Sequence, residues 1–195
     1  MIKKGAISHR LFKQSAKRGK KLHIEDKGEK MIPIVSIIGK SNSGKTTLLE
    51  GLIRETTQRG YRVATIKHNR HGFEIDHEGK DSWKHRRAGA YMTVIASPKQ
   101  VALIESTQKD YTIAELRERY IREVDIILIE GYKQNPYPKI EVYRKEISGQ
   151  PLATSEDNLI AMVTDDPVTV DVARFHKEDI VEITDLIVDL FLDQR

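Results

Sequence analysis

Gly39-Lys40-Ser41-Asn42-Ser43-Gly44-Lys45-Thr46 fits the pattern G-x-x-x-x-G-K-[ST], a glycine-rich turn that wraps the phosphates of a nucleoside triphosphate and runs into a helix. The chemistry explains the spacing. Gly39 and Gly44 let the backbone turn tightly and aim successive N–H groups inward. A helix beginning near Lys45 adds the positive end of its dipole. Lys45 reaches the β- and γ-phosphates, and the Thr46 hydroxyl is a ligand for Mg²⁺. Thr47 follows at the same junction, so residues 39 to 47 form the candidate nucleotide-binding stretch.

The flanks fit this reading. Pro33 to Ile38 is a short apolar run, as expected for a central strand covered on both faces. Lys45 to Arg59 carries Leu48, Leu49, Leu52 and Ile53 at helical spacing and stops before Gly60. Further strands are expected over Tyr61–Lys67, Tyr91–Ala96, Gln100–Glu105, Val124–Glu130, Lys139–Tyr143 (alternating in character), Asn158–Val163 and Ile180–Ile183. Helices are expected around Trp83–Gly89, over Thr112–Arg122, where Thr112 and Glu115 suit a capping box, and over Asp185–Leu192. Strands alternating with helices imply an α/β fold, a P-loop NTPase with a mainly parallel sheet, helices on both faces, and an antiparallel hairpin added at 91–105.

The 195 residues are enough for one domain with an appendage, and no cysteine is present, so disulfides and thiolate-bound metals are excluded. The longest apolar run, Ile126 to Ile129, is far below the ~20 residues needed to span a bilayer. Residues 1–30 hold ten Lys/Arg and three Asp/Glu, a net of +7, and the remainder holds 23 and 26, a net of −3. The leading segment is expected to be a basic, disordered extension, with residues 31–195 forming the nucleotide-binding domain. No nucleic-acid or membrane partner is expected, and a cytoplasmic location fits.

Mg²⁺ needs a carboxylate near Thr46. The apolar strand 124–130 ends in Glu130-Gly131, and ligands gather at the carboxyl ends of parallel strands. Glu130 is therefore a candidate metal ligand and, with Lys45, a candidate catalytic residue. Asp76, in the loop after the second strand, is the other carboxylate candidate; Asp125 begins its strand and belongs at the wrong edge. Lys40 directly follows the first glycine, where one branch of P-loop proteins carries a lysine that reaches across a dimer. Ser41-Asn42 replaces the Gly-Gly pair of that signature, so a solvated lysine is the expected reading. Thr164-Asp165, after strand 158–163, holds the place where GTPases read guanine with an aspartate. The usual neighbouring lysine is missing, and a polar Asp-Pro turn fits equally.

Lys67, His68, Arg70, His71, His77, Lys80, His85, Arg86 and Arg87 crowd the stretch 67–90. Either this is a cationic cradle for a second anionic ligand or a solvated surface loop. The position of Lys67 and His68 at the carboxyl edge favours function for them, and Lys133, just past Glu130, is placed to join them.

Four segments in order resemble the MobB family, molybdopterin-guanine dinucleotide biosynthesis protein B. They are Gly44-Lys45-Thr46-Thr47-Leu48; Val63-Ala64-Thr65-Ile66-Lys67-His68 with His71-Gly72-Phe73 and Asp76; Gly79-Lys80-Asp81-Ser82 with His85-Arg86-Arg87-Ala88-Gly89-Ala90; and Ile129-Glu130-Gly131-Tyr132-Lys133 with Pro138-Lys139-Ile140. The likeness starts at about Met31. It implies a homodimeric, Mg²⁺-dependent GTP-binding protein with weak GTPase activity, acting as an accessory to the molybdopterin guanylyltransferase (MobA-like) that joins GMP to molybdopterin. No glutamine or histidine stands after a strand-end Asp-x-x-Gly to activate water, so slow hydrolysis is expected. The alternatives are a small-molecule kinase, for which Arg86, Arg87, Arg117 and Arg119 are available clamps, and an adaptor without catalysis.

Overall fold

The computed structural model describes residues 31–132 and 134–193. The basic extension 1–30 and Lys133 lie outside the described residues. Two compact units are present. One runs up to His68 and resumes at Glu123; the other spans Asn69–Arg122.

The first unit is built on a six-stranded sheet of β1 (Ile34–Ile38), β2 (Val63–Lys67), β5 (Ile126–Glu130), β6 (Lys139–Val142), β7 (Leu159–Val163) and β8 (Ala173–Phe175), in the order β2-β5-β1-β6-β7-β8. Every pairing is parallel, so all carboxyl ends share one edge. The buried run Ile34–Ile38 makes β1 a central strand, with β5 and β6 on its flanks. Helix α1 (Lys45–Gln58) lays Leu48, Leu49 and Leu52 on one face, where they join Val35, Ile37, Ile126, Leu128, Ile140, Val163, Ile183 and Ile187 in the main core. Full burial of each such side chain contributes ~2 kcal/mol. The opposite face carries a smaller cluster of Ile38, Tyr143, Ala153, Leu159 and Met162.

The C-terminal segment departs from the expected pattern. Ile180–Ile183 is not a strand. It begins a helix over Ile180–Ile187 that continues through a π turn over Val188–Leu192. The β-branched residues suggested a strand, but Ile183, Thr184 and Ile187 recur at helical spacing and are the ones buried. Packing of that period against α1 outweighs intrinsic propensity. The last strand is β8, three residues with exposed Arg174 at its centre, too short to leave a period. Strand β6 is buried along its whole length rather than on alternate residues. Its two charged residues are satisfied internally. The Lys139 ammonium donates to the carbonyls of Asn135, Tyr137 and Asp157, and the Glu141 carboxylate accepts from the N–H groups of Leu152 and Ala153. Burial pushes the Lys139 pKa down and the Glu141 pKa up.

The second unit holds α2 (Asp81–Arg87), the antiparallel hairpin β3 (Met92–Ala96) and β4 (Val101–Glu105), and α3 (Ile113–Tyr120). The hairpin forms a separate two-stranded sheet. The expected capping box is present. Thr112 Oγ1 accepts from the Glu115 N–H at 3.2 Å, and the Glu115 carboxylate accepts from the Thr112 N–H at 2.8 Å. The Glu105 carboxylate pins the hairpin to α3 by accepting from the Tyr91, Tyr111 and Tyr120 hydroxyls and from Arg119. The hydroxyl of Tyr120, then those of Tyr111 and Tyr91, hold the Glu105 pKa down at about 2. No helix among the described residues is long and apolar enough to cross a membrane.

Candidate functional site

Residues 39–46 turn between β1 and α1 through three left-handed positions: Gly39 at φ 149°, Asn42 at φ 63° and Gly44 at φ 100°. Gly39 has no room for a side chain. A Cβ there would stand 2.6 Å from the Val142 carbonyl oxygen and 2.7 Å from Ser43 Oγ. The loop closes on itself, with the Ser43 N–H and the Lys45 ammonium donating to the Lys40 carbonyl at 3.3 and 2.7 Å. Gly44 is the N-cap of α1 and offers no side-chain cap, and the first turn of α1 holds no acidic residue. The N–H groups that begin the helix are therefore met by neither a capping side chain nor a carboxylate of that turn, which is the arrangement that receives an anion. Ser41, Asn42, Thr46 and Thr47 are exposed at this rim, and Ser43 is buried.

Glu130 ends β5 beside the loop. Its carboxylate accepts from Thr46 Oγ at 3.2 Å, and Lys67 Nζ, in register on β2, lies 3.7 Å away. Two oxygens bound to adjacent corners of an octahedral Mg²⁺, each at ~2.1 Å, stand about 3.0 Å apart. The Thr46–Glu130 pair has nearly that separation. A hydroxyl plus one carboxylate also suits an ion that takes its remaining ligands from phosphate and water.

The chain beyond Glu130 is held in place. The His68 N–H donates to the Glu130 carbonyl at 3.0 Å, and the His68 ring stacks on Tyr132 at 4.0 Å between centroids. Gly131 turns at φ 105° where a Cβ would come within 3.0 Å of the His68 Cβ, so this close approach requires glycine. The Asn135 amide donates to Ser36 Oγ and to the Tyr132 carbonyl. Lys67, His68 and Glu130 thus share one edge of the sheet with the phosphate loop.

Asp76 belongs to the second unit. There its buried carboxylate accepts from Ser82 Oγ at 3.1 Å and lies 3.5 Å from Arg86 Nε. Of the arginines available to a kinase clamp, Arg86 pairs with Asp76, Arg87 lies over the Trp83 ring, and Arg119 pairs with Glu105, all within that unit. Among the described residues no group of three or more His, Cys, Asp or Glu is placed to hold a metal.

Thr164 and Asp165 directly follow β7, two strands from β1, a span of about 10 Å at the usual strand spacing. Thr164 is buried, and its hydroxyl accepts from the Asp166 N–H at 3.0 Å. Asp165 is exposed, 3.1 Å from His176 Nδ1 and 3.5 Å from Lys177 Nζ. The hydrogen bond with His176, followed by the charge of Lys177, holds its pKa below the usual value. A lysine therefore does stand beside Asp165, contributed by the segment just after β8 rather than by the same run.

Arg144 was not singled out in the sequence. Its Nε donates to the Ser43 carbonyl at 2.8 Å, bringing a guanidinium from beyond β6 against the phosphate loop. Its only sequence signal was a basic residue at the carboxyl end of a strand.

The profile of the family described as molybdopterin guanine dinucleotide synthesis protein B (MobB) matches residues 34–165. The chain is 38% identical over 157 residues to the molybdopterin-guanine dinucleotide biosynthesis adapter protein of Haemophilus influenzae, covering 80% of this chain and 88% of that one. It is 35% identical over 172 residues to the protein of the same description from Escherichia coli, covering 86% and 98%. The crystal structure of Bacillus subtilis MobB superposes with a TM-score of 0.66 at 29% identity, covering 83% of this chain and 99% of that one.

Proposed function

The chain belongs to the MobB family, and from that premise we propose that it is a GTP-binding adapter that assists a molybdopterin guanylyltransferase in building the guanine dinucleotide form of molybdopterin. The relatives named above carry the adapter description. The observation that carries the nucleotide half is the Thr46–Glu130 contact at 3.2 Å beside an uncapped helix N-terminus.

In this reading the N–H groups of residues 43–46 and the Lys45 ammonium hold the β- and γ-phosphates. Thr46 and Glu130 are the residues that would hold Mg²⁺, whose charge offsets that of the phosphate oxygens. Asp165 accepts from the guanine N1 and N2 donors, with Lys177 beside it. Lys67 and His68, at the same edge, face a second anionic ligand such as the molybdopterin phosphate. Among the described residues no further side chain beside Glu130 is positioned as a strong base for water, so in this reading GTP is hydrolysed slowly and its binding serves assembly.

The active form is proposed to be a homodimer. Paired residues of an antiparallel hairpin share a face, so Met92, Val94, Val101 and Leu103 present one apolar surface, with exposures from 41% to 69%. Among the described residues neither hairpin edge pairs with a further strand, and a two-stranded sheet is marginal by itself. A second copy would cover these features.

The test is a GMP-transfer assay with purified guanylyltransferase and molybdopterin. Adding the full chain should raise product formation several-fold when GTP and Mg²⁺ are present. No stimulation under any nucleotide condition would remove the accessory role.

A further inference from the structure

The carboxyl end of β6 lies between the phosphate loop and the loop at 164–166, and consecutive residues there reach one side or the other. Tyr143 donates its N–H to the Val163 carbonyl at 3.0 Å, at the end of β7. Arg144 donates from Nε to the Ser43 carbonyl at 2.8 Å, and its Nη2 lies 3.4 Å from where a Cβ on Gly44 would stand. Lys145 donates its N–H to the Asp166 carboxylate at 2.7 Å. The Asp166 N–H in turn donates to Thr164 Oγ. Val142, one residue earlier, places its carbonyl oxygen against Gly39.

We propose that Arg144 is a positioning residue that couples the phosphate loop to the 164–166 loop, so that phosphate contacts and contacts on the far side of the nucleotide strengthen each other. This rests on the nucleotide-binding reading above. The chemistry favours arginine. The guanidinium is planar and half-buried, so its donors form a rigid fork that keeps one geometry. A donor fixed from one strand onto a loop held by another resists separate movement of the two. Ser43 and Gly44 immediately precede Lys45 and Thr46, so a shift of the Ser43 carbonyl moves the groups that meet phosphate. On the other side, the Asp166 contact orients the turn that presents Asp165. Binding at either end then finds the other already placed, which is positive coupling without a new contact.

Calorimetric titration of the full chain with Mg-GTP and with Mg-tripolyphosphate, which has no base or ribose, tests this. The variants are Arg144→Met and Arg144→Lys. Lysine keeps the charge but not the planar fork. Both variants should lose about tenfold or more in GTP affinity, as expected for a charge-assisted hydrogen bond, and less for tripolyphosphate. The variants without ligand should melt within a few degrees of the wild type, a readout that a purely structural role would move instead. Unchanged GTP affinity in Arg144→Met would overturn the proposal, as would equal losses for the two ligands, or wild-type affinity in Arg144→Lys. If the wild-type chain bound neither ligand, the nucleotide-binding reading itself would fail, which is a distinct result.

Discussion

Lys45→Ala should weaken Mg-GTP binding about a hundredfold while leaving the fold intact. The ammonium lies within the loop, donating to the Lys40 carbonyl at 2.7 Å, and is only half-buried. Truncation leaves little cavity and breaks no core packing, so the melting temperature of the free protein should move little. A charge-assisted hydrogen bond contributes roughly 1.5–3 kcal/mol, and each 1.4 kcal/mol is tenfold in affinity. A lysine meeting two phosphates belongs at the upper end. The measurement is titration calorimetry, with circular dichroism to verify folding. The variant should also lose its stimulation of the guanylyltransferase. If binding were lost and stimulation kept, the nucleotide would have no part in the adapter role, and the adaptor reading without catalysis would be preferred.

Paired charge substitutions on the hairpin should have the second large effect. Val94 and Leu103 are directly opposed across β3 and β4 and are 56% and 44% exposed. Val94→Glu with Leu103→Glu would place two like charges on the apolar face of each copy, four in a symmetric interface, all removed from water on association. Stable interfaces bury more than about 1,000 Å², and such a surface does not tolerate unpaired charge at its centre. Light scattering should give twice the chain mass for the wild type and the single-chain mass for the double variant. The hairpin pin at Glu105 should keep the variant folded, and far-UV circular dichroism checks this. A monomeric wild type, or a variant that remains dimeric, would mean that this face is not the interface.

Most of the first unit was legible because its signals are local. The eight residues from Gly39 to Thr46 carry their own turn geometry, and the apolar runs 34–38 and 126–129 mark strands that only a two-sided cover can bury. The Thr46–Glu130 contact followed from a general rule, since parallel strands bring their carboxyl ends to one edge. Segments whose state is decided by distant packing were less legible. Ile180–Ile183 has a β-branched composition but helical burial, and β8 is too short to show any period. Lys139 and Glu141 gave β6 the look of a half-exposed strand because the sequence hides the backbone groups that satisfy them. Arg144 was invisible for the same reason, as its partner Ser43 is 101 residues away. That contact depends on β6 lying next to β1, which no local pattern encodes.

We propose that residues 39–46, Glu130 and the 164–166 loop together form a guanine nucleotide site. Calorimetric titration of the full chain with GTP and ATP, each with and without Mg²⁺, tests it most directly. Saturable binding of Mg-GTP, tighter than Mg-ATP by at least tenfold and weakened when Mg²⁺ is removed, is the predicted result. Binding of ATP as tightly as GTP, or no binding of either, would contradict it.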